Sequence, residues 1–151
     1  MAVSTTLTDS FILDLFTADS PDFNGTPNLF LALIKSGEAR TYNEATTNLS
    51  ELQQATTDEV ANGNGYTTNG AAVSVEAGYP QLIAGVTTGV DFVNTQWLSA
   101  TFDTSGGLLY HTAANDSCAV YAFTASPSNG TLTIQWPTPA ASTAAIYINR
   151  A

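Results

Sequence analysis

The sequence of 151 residues is poor in charged side chains, above all in positive ones. Lys35, Arg40 and Arg150 are its only lysines and arginines, against thirteen acidic residues, which gives a formal net charge of −10. A groove that binds nucleic acid needs several cations to displace the counterions of the phosphates. Anionic membrane surfaces likewise attract basic segments. The charge balance therefore predicts that neither nucleic acid nor a membrane is a partner, and it fits either simple solubility or a basic partner surface.

Cysteines and long apolar runs are also scarce. The single cysteine, Cys118, excludes an internal disulfide and a metal site built from several thiolates. It lies in the apolar stretch SCAVYAF, which predicts a small core residue. No apolar run reaches the length of a membrane span, and the first ten residues lack the basic and cleavage regions of a signal peptide. We therefore expect synthesis in a cytoplasm, without targeting to a membrane.

The sequence offers little to a catalytic site. Its only histidine, His111, follows the strand-like stretch GLLY, and we expect it to be exposed or hydrogen bonded. One histidine and one cysteine do not make a typical zinc site, and no GxSxG motif of a serine hydrolase occurs. Oxygen atoms of Asn115 and Asp116 leave a calcium site open, without support from an EF-hand spacing. The prediction is a protein that is not an enzyme, with no catalytic residues, no cofactor and no metal ion.

The side chains that are abundant favour β-structure. Hydrophobic residues make up 44% of the chain, and Thr, Ser and Asn supply most of the polar remainder, which suits strands and turns. Leu132, Ile134 and Trp136 alternate with polar residues, as the buried face of a strand does. Seven short strands are predicted after Gly70, at residues 71–76, 89–93, 97–102, 107–111, 119–124, 131–135 and 144–149. Many short strands with turns between them indicate one all-β domain over residues 1–151, as a sandwich or a barrel.

The first part of the chain is predicted to hold an arm and a buried strand. Within the arm, residues 1–27, helical spacing places one set of apolar side chains on one face, with Thr8 or Asp9 as the cap. These side chains are Leu7, Phe11, Ile12, Leu15 and Phe16. The run FILDLF is also compatible with an edge strand. The continuous apolar run at residues 28–34 predicts a buried strand.

A long polar excursion is predicted at residues 41–58. Leu49 and Leu52 are its aliphatic anchors, and the stretch TNLSEL has the form of a capping box, with Ser50 or Thr47 as the cap of one helical turn. Because long irregular segments are commonly functional, we expect this excursion to contact a partner.

The stretch NGNGYTTNG, residues 62–70, is the most conspicuous motif. A dinucleotide-binding loop needs a third glycine at the sixth position, counted from Gly63, and a phosphate-binding P-loop ends in Gly-Lys-Ser/Thr. Neither pattern is present, and a strand rather than a helix follows. The motif therefore predicts turns: a bend at Gly63 and Gly65 beside Tyr66, and a tight turn at Asn69-Gly70.

The order of these segments resembles a family of tailed-bacteriophage virion proteins. The family's pattern is an early apolar strand, a segment EV-x-G-x-GY-T-x-GG and a later F-x-x-x-x-W stretch. The residues at the matching positions are Glu59, Val60, Gly63, Gly65, Tyr66, Thr67, Gly70, Phe92 and Trp97. Asn69 stands where the family has a glycine, a mild departure because Asn also adopts the left-handed conformation.

The resemblance implies a jelly-roll-like β-sandwich that acts as a capsid decoration (cement) protein. Such a protein is made in the host cytoplasm and sits on the outside of the virion head, where its partner is the major capsid protein. Self-association as a dimer or trimer is expected, because capsid joints are symmetric. The predicted contact residues are Phe11, Leu15, Phe16, Tyr42, Leu49 and Leu52. The alternatives are another virion component, in the tail, the neck or a head fibre, and a carbohydrate-binding module or glycosidase with an aromatic platform.

Overall fold

A computed structural model describes residues 5–17, 23, 28–54, 58–83, 87–113, 116–137, 139 and 145–149. Over these residues the chain forms short α-helices and antiparallel β-strands, which confirms the all-β class. The elements, in chain order, are β1 Thr6–Leu7, α1 Asp9–Asp14, β2 Leu29–Lys35, α2 Ser50–Gln53, β3 Ala71–Val73, β4 Gln81–Ile83, β5 Thr87–Val90, β6 Thr95–Thr101, β7 Thr104–His111, β8 Ser117–Ala125, β9 Ser128–Ile134 and β10 Ile146–Asn149.

The strands form three sheets. The largest has five strands in the order β1-β8-β7-β2-β3, the second has three in the order β10-β5-β4, and the third pairs β6 with β9. An isolated bridge between Val75 and Phe92 joins the chain after β3 to the chain after β5. Residues from all three sheets meet in one hydrophobic core.

The position of strand β2 between two cores explains why its sequence is apolar at nearly every position. Successive side chains of a strand point to opposite faces. Leu31 and Leu33 enter the core that the three sheets share, whereas Ala32 and Ile34 enter a second core on the other face of the large sheet. All four side chains are fully buried. The prediction of a buried strand is confirmed, and a strand covered on both faces has no position for a polar side chain.

Three side chains of the segment at residues 41–58 belong to the second core, which corrects its interpretation as a surface excursion. Tyr42, Leu49 and Leu52 are buried and pack against the face of the large sheet that carries Ile34. The carboxylate of Asp58, also buried, accepts a hydrogen bond from the Tyr42 hydroxyl at 2.9 Å. An apolar sheet face has to be covered, and this segment covers it.

The single helical turn in this segment is confirmed as α2, but its predicted caps are not. Ser50 is the first residue of the helix, and the N-cap residue Leu49 makes no side-chain cap. Instead, the Asn48 side-chain oxygen accepts from the Ser50 amide at 2.8 Å, and the Glu51 carboxylate accepts from the Thr47 amide at 2.7 Å.

In the arm, the helical interpretation is confirmed and the edge strand is not found at FILDLF. Thr8 is the cap, with an extended backbone, and its hydroxyl accepts from the Phe11 amide at 3.4 Å. The helix is shorter than predicted, because Leu7 belongs to β1, which pairs with β8. Hydrogen bonds to β8 hold the cap residue, since Thr8 donates to the carbonyls of Ser117 and Cys118.

Most predicted strands are present, with shifted ends. The strand predicted at 71–76 stops at Val73, because Val75 bridges to Phe92 instead of pairing with β2. Strands β1 and β4, of two and three residues, are too short to show alternation and were not predicted. The side chains of Leu132, Ile134 and Trp136 all pack against the shared core, as their alternation predicts.

Candidate functional site

Helix α1 carries apolar side chains on both of its faces. Phe11 is buried in the shared core, and Leu15, four residues later, is half-buried against it. Ile12, Leu13 and Phe16 point away from the core and are 45%, 65% and 85% exposed. These three side chains are exposed on the outer side of the helix, where they are accessible to another molecule.

A groove of about 920 Å³ lies beside the helix. Its floor and walls come from β1, β8 and β9 and from the residues just after β9. Its apolar wall residues include Leu7, Tyr121, Phe123, Leu132, Ile134 and Trp136. Ile12 also lines the groove, so the outer side of α1 and the groove are continuous. We call Ile12, Leu13, Phe16 and these six wall residues the helix–groove surface.

The helix–groove surface has an acidic margin. Asp9 and Glu44 line the groove together with its apolar walls, and the Asp9 amide donates to the Glu44 carbonyl at 2.8 Å. The whole chain carries a formal net charge of −10. A partner surface that fits is therefore apolar at its centre and neutral or basic at its edge.

The six predicted contact residues do not share one location. Phe16 is exposed and Leu15 is half-buried, and both lie at the end of α1. Phe11, Tyr42, Leu49 and Leu52 are at most 4% exposed. For these four the expectation is corrected, because their side chains form the chain's own two cores. Ile12 and Leu13, which were not predicted as contacts, are the exposed neighbours of Phe16.

The motif at residues 62–70 forms two consecutive turns. Gly63 and Tyr66 exchange both backbone hydrogen bonds, at 2.8 and 2.9 Å, around Asn64 and Gly65. Both central residues have positive φ, 52° and 86°, as a type I′ turn requires. A tight turn thus lies at Asn64-Gly65, where the motif predicts a bend beside Tyr66.

The second turn leads into β3. The Gly70 amide donates to the Thr67 carbonyl at 2.9 Å, and Asn69, with φ 77°, occupies the third position of this turn. A Cβ atom on Gly70 would overlap the backbone of Leu31 and Ala32, so glycine is needed here for space as well as for φ. The motif does turn the chain, as predicted.

Tyr66 is the centre of a buried polar network. Its ring stacks on Trp97, with ring centroids 6.4 Å apart. Its hydroxyl donates to the Glu59 carboxylate at 2.7 Å and accepts from the Leu33 amide at 3.0 Å. The Glu59 carboxylate also accepts from the amide of Asn69. Burial, followed by the charge of Glu59, raises the pKa of the Tyr66 hydroxyl.

This network fastens the turn motif to the sheet. Beyond the end of β3, the edge of β2 is paired by an isolated bridge between Ile34 and Glu59, and the Tyr66 hydroxyl accepts the hydrogen bond of the Leu33 amide there. The Val60 amide donates to the Leu33 carbonyl at 3.0 Å. The matching residues of the virion-protein pattern, Glu59, Tyr66 and Trp97, therefore have structural roles in this chain.

Several of the aromatic side chains that a sugar-binding platform would use are packed inside the described part of the protein. Tyr66, Trp97 and Tyr110 are at most 4% exposed. Trp136 is half-buried and packs edge-on against Phe92 and Tyr121, with centroids 5.1 and 5.2 Å away. Core packing accounts for all of these rings.

A cluster of three ionisable side chains lies where α1 meets the β7–β8 hairpin. The donor atoms of Asp14, His111 and Asp116 all lie within 4.8 Å of one another. The Nε2 atom of His111 is 3.7 Å from Oδ2 of Asp14, and both atoms are buried without a hydrogen-bond partner. His111 is 1% exposed, so of the two alternatives expected for this side chain the exposed one is wrong.

No sequence motif predicts this cluster, because Asp14 is far along the chain from His111 and Asp116. The calcium site that was left open near Asn115 and Asp116 rests partly on Asn115, which lies outside the described residues. Cys118 is fully buried, as predicted. Burial raises the pKa of its thiol, and the charges of Asp14 and Asp116 raise it further.

Comparison with protein-family models, with curated proteins and with solved structures finds no match for this chain. In the part of the chain that the structure describes, no helix has the length and apolar character needed to cross a membrane.

Proposed function

We propose that this protein is a capsid decoration protein of a tailed bacteriophage, which binds the outside of the head through its helix–groove surface. The observation that carries the proposal is the exposed apolar face of α1, continuous with an apolar groove. The resemblance of the sequence to phage virion proteins gives the class of partner, the major capsid protein. We also propose a jelly-roll-like β-sandwich, with the large sheet on one side of the shared core and the two smaller sheets on the other.

Binding would stabilise the head by mass action. A protein that binds the assembled lattice, and not its separated subunits, stabilises the lattice by its binding free energy. Burial of one exposed Leu or Phe side chain contributes about 1.5 to 3 kcal/mol. Three of them together reach only about 4.5 to 9 kcal/mol, against about 8.2 kcal/mol for a micromolar complex and before the entropy cost of association, so the apolar walls of the groove have to contribute as well. Self-association as a dimer or trimer multiplies this affinity through avidity. The acidic chain is repelled by packaged DNA, which keeps it on the outer surface.

The experiment adds purified protein to heads that lack decoration and measures binding by co-sedimentation and head survival by heating. We expect saturable binding and release of DNA at a higher temperature. Leu13→Ser should weaken binding by about 10- to 100-fold, the equivalent of one buried apolar side chain. Leu98→Ser is the matched control: Leu98, on β6 outside the helix–groove surface, is 66% exposed against 65% for Leu13, so its loss should leave binding unchanged.

The possible outcomes test the decoration role and the binding surface separately. Absence of saturable binding by the wild-type chain would refute the decoration role. Binding that survives Leu13→Ser and is lost in Leu98→Ser would keep the role and reject the helix–groove surface. Electron microscopy of decorated particles tests the alternative location, because a tail, neck or fibre component would leave the head faces bare.

A further inference from the structure

We infer that Asp14, His111 and Asp116 form a binding site for one divalent transition-metal ion, of the zinc class, that fastens helix α1 to the β7–β8 hairpin. The inference is independent of the proposed function. The Nε2 atom of His111 is buried, lies 3.7 Å from the carboxylate of Asp14 and has no hydrogen-bond partner, and Asp116 belongs to the same cluster.

The arrangement leaves polar atoms unsatisfied in a way that a bound cation would resolve. Buried polar atoms nearly always have a partner, and a buried carboxylate oxygen without one is costly. Here two such atoms, His111 Nε2 and Asp14 Oδ2, lie 3.7 Å apart, too far for a hydrogen bond between them. A cation between them satisfies both atoms and neutralises the charge of the two carboxylates.

The three ligand atoms are close enough to bind a small ion after a small movement toward one another. Zinc binds nitrogen and oxygen ligands at about 2.0 to 2.2 Å, so tetrahedral ligands lie roughly 3.4 Å from one another. The three donor atoms lie within 4.8 Å of one another, and His111 Nε2 is 3.7 Å from Asp14 Oδ2. Asp116 is half-buried and therefore less confined than His111, so its carboxylate can move to complete the set around an ion.

The chemistry of the ligands selects the class of ion. Calcium and magnesium prefer oxygen ligands alone, whereas imidazole with carboxylates suits zinc, manganese and iron. Zinc binds such a set more tightly than manganese or ferrous iron. The Asn48 side-chain amide donates to Asp116 Oδ1 at 3.3 Å, and an outer hydrogen bond of this kind orients a ligating carboxylate.

The position of the site gives the ion a structural role. Asp14 is the last residue of α1, whereas His111 ends β7 and Asp116 directly precedes β8. The start of the helix is already fastened to β8 through Thr8, which donates to the carbonyls of Ser117 and Cys118. An ion at Asp14 would fasten the other end, close to the exposed Phe16.

The test uses the full chain without a polyhistidine tag, stripped with a chelator and dialysed. Zinc chloride is titrated in by calorimetry, and the imidazole nitrogens are followed by NMR, where the single histidine gives an unambiguous signal. We expect one zinc ion per chain, a shift of the His111 Nε2 resonance that saturates at this ratio, and a higher unfolding temperature. Calcium and magnesium should produce none of these changes at equal concentration.

Variants locate the site. His111→Gln and Asp116→Asn should each weaken zinc binding at least tenfold, whereas Asp103→Asn, the same change at an exposed aspartate outside the cluster, should bind like the wild type. If His111→Gln does not fold, Asp116→Asn and the NMR signal of the wild-type chain still decide the matter. A His111 resonance that zinc does not move, binding that is unchanged in Asp116→Asn, or equal binding of calcium would overturn the inference.

Discussion

In a Tyr66→Phe variant the ring that stacks on Trp97 stays in place and only the hydroxyl group is removed. That hydroxyl makes two buried hydrogen bonds, one to the Glu59 carboxylate at 2.7 Å and one from the Leu33 amide at 3.0 Å. Tyr66 is 2% exposed, so water cannot take over either bond without opening the core. The variant therefore isolates the contribution of one oxygen atom to the fastening of the turn motif on the sheet.

Both hydrogen bonds contribute to the expected loss in the free energy of unfolding. A hydrogen bond to a charged group contributes about 1.5 to 3 kcal/mol, and a buried amide left without a partner costs about 1 to 3 kcal/mol. Part of this loss is offset, because a phenylalanine ring is easier to bury than a tyrosine ring. We expect a loss of about 3 kcal/mol in the free energy of unfolding, which corresponds to a fall in Tm of roughly 6 to 12 °C for a domain of this length.

Urea unfolding followed by circular dichroism measures this loss. An m value equal to that of the wild type shows that the change is one of stability. Tyr121→Phe is the matched control: the Tyr121 hydroxyl makes one hydrogen bond, to the Ala145 carbonyl at 2.7 Å, and its loss should cost about 1 kcal/mol. If Tyr66→Phe costs no more than Tyr121→Phe, the two-bond role of the Tyr66 hydroxyl is refuted.

Two further predictions concern the turns and the tyrosines. Gly70→Ala should lower the free energy of unfolding by more than about 3 kcal/mol, because the new Cβ atom would overlap the Leu31 backbone. Gly37 has a similar φ but open space around it, so Gly37→Ala should lower the free energy of unfolding by only about 1 to 2 kcal/mol. Equal losses for the two variants in urea unfolding would contradict this prediction. Burial, followed by the charge of Glu59, raises the pKa of Tyr110 to about 12. The unfolded chain loses this proton near pH 10 and the folded chain keeps it, so stability should be unchanged by this group below pH 10 and should fall between pH 10 and 12, by up to about 1.4 kcal/mol per pH unit. Unfolding curves at pH 9, 10 and 11, with tyrosinate absorbance at 295 nm, test the sign; a stability that is flat or rises over this range would contradict it.

The features that the sequence predicts well depend on neighbouring residues. The cap at Thr8, the apolar strand β2 and the turns around Gly65 and Gly70 each follow from a few consecutive side chains. Their backbone preferences and spacing carry the information, whatever the rest of the chain does.

The features that the sequence does not predict depend on which distant segments meet. Isolated apolar residues in a polar segment, such as Leu49 and Leu52, look the same whether they contact a partner or cover a sheet. The choice depends on the back face of β2, where Ala32 and Ile34 need a cover. In the same way, Asp14 and His111 come together only because β1 pairs with β8 and carries α1 with it.

The strand order of the large sheet also governs when the chain can fold. Thr6 of β1 pairs with Val120 of β8, and Leu31 of β2 pairs with Leu109 of β7, so partners are separated by most of the sequence. Contacts of such long range make folding slow, because a long loop has to close before they form. During synthesis, β2 cannot complete its place in the sheet until β7 has left the ribosome. The interval before release is thus the period in which a newly made chain is most prone to aggregate.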